Sequence, residues 1–284
     1  MDVLGLSTQD GEVENMSHTY HTVLTIAGSD SGGCAGIQAD IKSISANGGY
    51  AASVITATTA QNTQGVTDIH AIPISHLIAQ MDAVFSDIDF HAVKIGMLHS
   101  SKVIEAVQST LKKYAAKNIV LDPVMVATSG HHLIDTEAVA RLKTFLPQVR
   151  LITPNIPEAQ IFIDHDINLE NLEDTAQEIG EKYQVSVLLK GGHLELTETM
   201  TDALYNYETK KVTRIQNPAI ETINTHGTGC SLSSSIATYL AKGQSLENAV
   251  TQGCTYLNKA IDAGKDMVLG KGHGPVNHFG LPHA

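Results

Sequence analysis

The chain has 284 residues, of which 42% are hydrophobic and 5% aromatic, with no Trp and a formal net charge of -12. Its length fits one large α/β domain or two small ones, with an aliphatic core. The acidic balance and the lack of a Lys/Arg block argue against nucleic acid as the main partner, and no apolar run reaches transmembrane length. Three cysteines make an odd number and no disulfide framework, which points to a reducing cytoplasm. No charged-then-apolar leader opens the chain. Residues 1–18 are polar and lack period, so residues 1–20 are expected to be a disordered N-terminal extension. No repeat or linker divides the rest, and 21–284 is expected to be a single domain.

Residues 23–27 form a short apolar run ending at Gly28, a predicted buried strand. A glycine-rich loop over 29–36 follows, then a helix marked by Ile37, Ile41 and Ile44, then a strand over 54–57. Strand, glycine loop, helix, strand is a βαβ opening and implies a parallel sheet. The polar stretch 59–65 is expected to be a loop at a strand end, where ligands of such sheets bind. Alternation continues with helix 77–85, strand 91–98, helix 103–114, strand 118–121, helix 137–146 and strand 149–152. Helix 172–183 and strand 185–189 come next, then a hairpin of 203–205 with 212–215. Leu232, Ile236, Tyr239 and Leu240 mark one helix, and Leu246, Val250, Cys254, Leu257 and Ile261 another. The sum is an α/β fold: a mostly parallel, doubly wound central sheet with helices on both faces.

The stretch Asn224-Thr225-His226-Gly227-Thr228-Gly229-Cys230 stands directly before the first of those two helices. The first N–H groups of a helix have no intrahelical partner, and the macrodipole favours negative charge there. Gly227 and Gly229 carry no Cβ, so an anion can approach the backbone closely. Cys230 falls in the first turn, a position expected to make a thiol more acidic. The bland alternative is a glycine-rich turn that only caps a helix.

Asp30, Gln61, Asp122, Asn155 with Glu158, and Lys190 each follow a predicted strand and so line one sheet edge. Each also has a structural role open to it. Asp30 can cap a turn, Asp122 before Pro123 can start one, and Asn155 and Glu158 fit a capping box around Pro157. There is no G-x-x-x-x-G-K-[ST] loop, and Gly32-Gly33-x-x-Gly36 is not a dinucleotide fingerprint. The histidines, His131-His132 included, show no zinc spacing. Cys34 and Cys254 read as structural thiols.

Eight stretches carry a resemblance. They are Thr25-Ile26-Ala27-Gly28-Ser29-Asp30, Ala35-Gly36-Ile37-Gln38-Ala39-Asp40, Ala60-Gln61-Asn62-Thr63, Lys94-Ile95-Gly96-Met97-Leu98 and Asp122-Pro123-Val124-Met125. Thr153-Pro154-Asn155-Ile156-Pro157-Glu158-Ala159, Leu189-Lys190-Gly191-Gly192-His193 and residues 225–230 complete them, and the 272–278 stretch closes the chain in the same manner. From Val23 to about His278 the chain resembles the ribokinase-like superfamily, in its hydroxymethylpyrimidine/phosphomethylpyrimidine kinase branch of thiamine biosynthesis. Cys34 departs from a usual Gly, and Thr128 from a Lys found in many members.

The resemblance implies a three-layer ribokinase-like fold and transfer of the ATP γ-phosphate to a pyrimidine hydroxymethyl group. A second phosphorylation, to the diphosphate, is implied with it. Ala35, Asp40, Gln61, Val124 and Cys230 would form the pyrimidine site. Gly227, Thr228, Gly229 and Cys230 would be the anion hole, with Cys230 as base. Asn155, Lys190, Thr225, Gly227 and Gly229 would meet the nucleotide, while Asp122 and Glu158 would organise Mg²⁺. A homodimer is also implied, and the partners are small molecules rather than nucleic acid or membrane. Pyridoxal kinase, of the same superfamily, is the rival reading; it would share the phosphate site and differ in the ring pocket. A cysteine hydrolase using Cys230 and His226 is disfavoured, because neighbours at a helix start seldom place a base on the nucleophile.

Overall fold

Val23, Leu24 and Ile26 are completely buried and seed the centre of the sheet. The computed structural model describes residues 19–125, 135–192 and 198–280. The expected extension 1–20 therefore lies almost wholly outside the described residues, as do Thr128, His131, His132 and His193.

The first half of the chain runs β1 (Thr22–Asp30), α1 (Gly36–Ala46), β2 (Tyr50–Asn62), β3 (Gly65–Ala71), α2 (Ile74–Phe85), β4 (Ala92–Ile95) and α3 (Ser101–Lys113). Next come β5 (Ile119–Leu121), α4 (Thr136–Phe145), β6 (Leu151–Ile152), the short α5 (Ile156–Ala159), α6 (Leu172–Tyr183) and β7 (Ser186–Lys190). The hairpin β8 (Thr199–Asn206) and β9 (Lys211–Pro218) precedes α7 (Thr228–Ala241) and α8 (Leu246–Gly264).

The strands form one nine-stranded sheet in the order β3-β2-β1-β4-β5-β6-β7-β8-β9. Pairings from β2 across to β7 are parallel, and β3, β8 and β9 add antiparallel edges. Alternate strand residues serve opposite faces. Leu24, Val93, Leu121, Ile152 and Val187 join the core built with α2, α3, α4 and α6. Val23, Ala92, Val120, Leu151 and Leu188 join the one built with α7 and α8. The expected mostly parallel, three-layer arrangement is what the chain adopts.

Three local expectations are corrected. The stretch 59–65 is not a loop: β2 runs on to Asn62 and turns back as β3. Every residue of β3 is exposed, so neither face carried the apolar alternation that marks a strand. The strand expected over 91–98 ends at Ile95, where Gly96-Met97-Leu98 leave the sheet. Finally, α7 is buried nearly all round rather than along one stripe. Ser231, Ser233, Ser234, Ser235 and Thr238 are as enclosed as Leu232 and Ile236. Several of these hydroxyls bond their own helix, as Ser231 to the Gly227 carbonyl (2.8 Å) and Thr238 to that of Ser234 (2.8 Å). Small polar side chains so satisfied let a helix pack closely on every side; Ser235 Oγ alone of the five has no hydrogen-bond partner among the described residues.

Candidate active site

The start of α7 faces the C-terminal ends of β1, β5 and β7. Gly227 caps the helix with φ +85°, in the left-handed region. A Cβ there would lie 1.9 Å from the Cys34 carbonyl oxygen, so only glycine fits. A Cβ on Gly229 would sit 3.2 Å from Asp122 Oδ2 and 3.5 Å from Lys190 Nζ. Helix terminus, carboxylate and ammonium thus meet at one point. Thr228 turns its hydroxyl back to the Thr225 carbonyl (3.0 Å), tightening the cap, while the Thr225 side of the turn is exposed.

Asp122 and Glu158 are almost completely buried. Asp122 Oδ1 accepts from Thr153 Oγ1 at 3.0 Å and lies 3.4 Å from Lys190 Nζ. Asn155 and Glu158 form the expected capping box, each side chain accepting the other's backbone N–H at 2.9 Å. Burial pushes the Glu158 carboxyl up to about 7; Lys190 opposes this and Asp122 adds to it. Burial alone would lower the Lys190 pKa, but Asp122 and Glu158 hold it above the ordinary lysine value. Two hard carboxylates whose repulsion a dication would relieve suit Mg²⁺, which commonly takes one or two carboxylates plus substrate phosphates. Among the described residues no cluster of three or more metal-ligating side chains exists.

The glycine loop after β1 is organised by Asp30. Its carboxylate accepts the N–H groups of Gly32 (2.8 Å), Cys34 (2.9 Å) and Ala35 (2.8 Å). Asp30 is therefore a loop clamp, and it sets Ala35 opposite Gly227. Val124 is half-buried and follows Asp122 on the same edge. Gln61 is half-buried at the end of β2, with its amide between Thr59 and His226.

Two expectations need correction here. Asp40 was expected to touch the pyrimidine, but it is completely buried and bonded internally. Its carboxylate accepts from Thr25 Oγ1 (2.6 Å), Lys94 Nζ (2.7 Å) and Ser234 Oγ (2.7 Å). A helix-start position was also expected to acidify Cys230. Instead burial dominates and pushes its thiol up to about 11; Lys94 pulls it down, and Asp40 and Asp122 push it up. The free protein thus holds Cys230 protonated at neutral pH. The partial charge of a helix terminus is outweighed by the desolvation of an enclosed thiol.

Sequence reasoning did not single out Lys94, a fully buried ammonium paired with Asp40. Its signal was a lone charge inside the apolar run 92–95. Sequence reasoning drew on the 272–278 stretch for the resemblance but gave that tail no role in the site. Asn224 donates to the carbonyls of Gly264 (2.8 Å) and Met267 (2.7 Å), and His226 N bonds the Gly274 carbonyl (3.1 Å). His278 Nε2 reaches Ser231 Oγ at 3.0 Å, so the 272–278 stretch braces the start of α7.

The layered sheet and the glycine-rich helix start beside Lys190 and two buried carboxylates define a ribokinase-like small-molecule kinase. The family model for phosphomethylpyrimidine kinase matches residues 30–277, and the chain belongs to that family. It is 48% identical to the hydroxymethylpyrimidine/phosphomethylpyrimidine kinase of Rhizobium meliloti, over 90% of this chain and 96% of that protein. It is 47% identical to the thiamine biosynthesis bifunctional protein of Geobacter sulfurreducens over 91% of its own length. There it spans only 52% of the relative, about half. Among solved structures, an ADP complex of Bacillus subtilis pyridoxal kinase superposes with a TM-score of 0.83 at 31% identity, covering 92% of this chain and 98% of that one.

Proposed function

We propose that this protein transfers the γ-phosphate of ATP to the hydroxymethyl oxygen of an aminopyrimidine, and then phosphorylates the monophosphate to the diphosphate, in thiamine biosynthesis. The observation that carries this is the convergence at Gly229, where the α7 terminus, Asp122 and Lys190 meet. Phosphoryl transfer needs positioning and charge stabilisation more than covalent catalysis. The N–H groups over 227–230 take the phosphoryl oxygens, and Lys190 adds a fixed positive charge beside them.

In the reaction the substrate oxygen bonds to phosphorus, the bridge to the β-phosphate breaks, and ADP leaves. The hydroxyl proton passes to Cys230. The thiol is protonated in the free protein, so it must first release its own proton to solvent, and Cys230 then accepts the hydroxyl proton as a thiolate. A loose transition state delays the need for a base until the new O–P bond is nearly complete. Asp122 and Glu158 would hold Mg²⁺, which when bound neutralises charge on the phosphates. Asn155, Thr225 and Lys190 flank the nucleotide. Ala35, Gln61, Val124 and Cys230 line the ring side, while Asp40 acts from behind through Lys94 and Ser234.

A small-molecule kinase working in the cytoplasm agrees with the three free thiols. A homodimer through the β2–β3 hairpin belongs to the same reading, since Val66 and Ile69 stand about half exposed there. The similarity to a pyridoxal kinase keeps vitamin B6 phosphorylation as the second reading. A coupled assay with ATP, Mg²⁺, hydroxymethylpyrimidine, its monophosphate and pyridoxal tests both: pyrimidine turnover supports the first, and pyridoxal turnover alone the second.

A further inference from the structure

Gln61 is clamped at its backbone, and its amide is held between two side chains. Ser31 Oγ donates to the Gln61 carbonyl (2.7 Å) and accepts the Gln61 N–H (2.8 Å). At the side chain, Oε1 lies 3.1 Å from Thr59 Oγ1, and Nε2 lies 2.9 Å from His226 Nε2. Thr59 Oγ1 is also 3.0 Å from the Ser29 carbonyl. A hydroxyl has a single proton, so Thr59 donates to Ser29 or to Gln61, not to both.

Two complete bonding patterns follow. In the first, Thr59 donates to Gln61 Oε1, and the amide N–H donates to a bare His226 Nε2. In the second, Thr59 donates to Ser29, the amide is reversed and donates to Thr59, and a protonated His226 Nε2 donates to Oε1. Both leave one amide N–H and one oxygen lone pair for a ligand, but in exchanged positions.

We propose that His226 is a positioning residue: the presence or absence of a proton on its Nε2 sets which way round the Gln61 amide faces the ring pocket, and so sets the pyrimidine preference. This rests on the reading that Gln61 meets the substrate ring. A ring nitrogen beside an exocyclic amine matches one orientation and opposes the other. The charged groups facing His226 are Asp30, with Oδ2 3.7 Å from Nε2, and His273 on the tail. Asp30 already accepts from three loop N–H groups. Burial lowers the His226 pKa, Asp30 opposes that and His273 adds to it, so the imidazole is neutral at pH 7. The amide stands with its Nε2 towards His226, the orientation of the first pattern.

The test has two arms on the full chain. ¹⁵N NMR of the imidazoles at pH 7.5, with His226 assigned by substitution, is expected to show Nδ1 protonated and Nε2 bare. A proton on Nε2 at that pH overturns the inference, whatever the substrate turns out to be. In the second arm, kcat/KM for hydroxymethylpyrimidine and pyridoxal is followed between pH 5 and 8. The pyrimidine-to-pyridoxal ratio is expected to fall by about tenfold as the pH is lowered and Nε2 takes up its proton. In His226→Asn, which pairs with either amide orientation and carries no titrating proton, the ratio becomes independent of pH. His226→Phe is expected to raise KM for the pyrimidine about tenfold while kcat holds. A parent ratio without pH dependence, or one shared by His226→Asn, overturns the inference. A correct tautomer without pyrimidine turnover counts against the kinase reading alone.

Discussion

The carbonyl oxygen of Cys34 lies 1.9 Å from the point a Cβ on Gly227 would occupy. The loop after β1 and the start of α7 therefore touch backbone to backbone, and the anion hole depends on that contact. Gly227→Ala meets both a positive φ and a clash with backbone that cannot rotate away. Displacing the helix start by about 1 Å is expected to lower kcat/KM by about 100-fold or more. Gly243, at φ +77° with nothing within 4 Å, is the control. Gly243→Ala reports the dihedral strain alone and is expected to reduce stability without a comparable loss of rate. Equal kinetics for the two variants would contradict the role of the contact.

Cys230 is expected to be a slow nucleophile in the free protein, because its thiol is pushed up to about 11. Iodoacetamide labelling of Cys230, followed by mass spectrometry, should accelerate with pH up to that range. Labelling that saturates near pH 7 would mean a thiolate already formed. Cys230→Ala should reduce kcat by about 10² to 10⁴-fold and leave nucleotide affinity nearly unchanged. Cys230→Asp should retain more activity than Ala, since a carboxylate can accept the proton. Parental turnover in Cys230→Ala would remove the base assignment.

Glu158 has one established task, the capping box with Asn155, and one proposed, the metal. Glu158→Gln keeps an oxygen for the Asn155 N–H but loses the charge. It is expected to fold, and to need about tenfold more Mg²⁺ for half-maximal rate. An unaltered Mg²⁺ titration in a folded variant would leave Glu158 only its capping role.

His278 should make stability depend on pH. Its pKa is lowered to about 4, first by burial and then by Lys42. Ser231 donates its one proton to the Gly227 carbonyl, so His278 Nε2 must be the donor in their 3.0 Å bond. The unfolded chain takes up a proton near pH 6.5 and the folded chain only near 4. The contribution is complete above pH 6.5 and is lost as pH falls towards 4, amounting to roughly 3 kcal/mol at most. Urea melts of the parent and His278→Phe across pH 4 to 7 check this. The parent's stability should rise more steeply with pH; identical slopes would contradict it.

Much of the layered fold was legible, because buried parallel strands such as 23–27 read as apolar runs between turn residues. The capping box of Asn155 and Glu158 was legible for the same local reason: it is written in residues three apart. What escaped reading depends on three-dimensional neighbours. Strand β3 has no buried face, so it carries no pattern. Asp40 was placed at the ring by the resemblance alone, and Lys94 and Ser234, far along the chain, enclose it. The Cys230 pKa was judged from the helix terminus alone, and the burial that reverses it comes from packing against other elements. His226 meets Gln61 across 165 residues, a contact that no spacing rule announces.

The central claim is that Gln61 and the α7 terminus serve an aminopyrimidine alcohol. The most direct measurement is kcat/KM for hydroxymethylpyrimidine against pyridoxal, with ATP and Mg²⁺, in the parent and in Gln61→Met. An amide that a bound ring buries and leaves unpaired costs roughly 1–3 kcal/mol, about 5- to 150-fold in binding. The parent is therefore expected to prefer the pyrimidine by about one to two orders of magnitude, and Gln61→Met to erode that preference mainly by weakening the pyrimidine. A parent that prefers pyridoxal, or a ratio unmoved by Gln61→Met, would contradict the account.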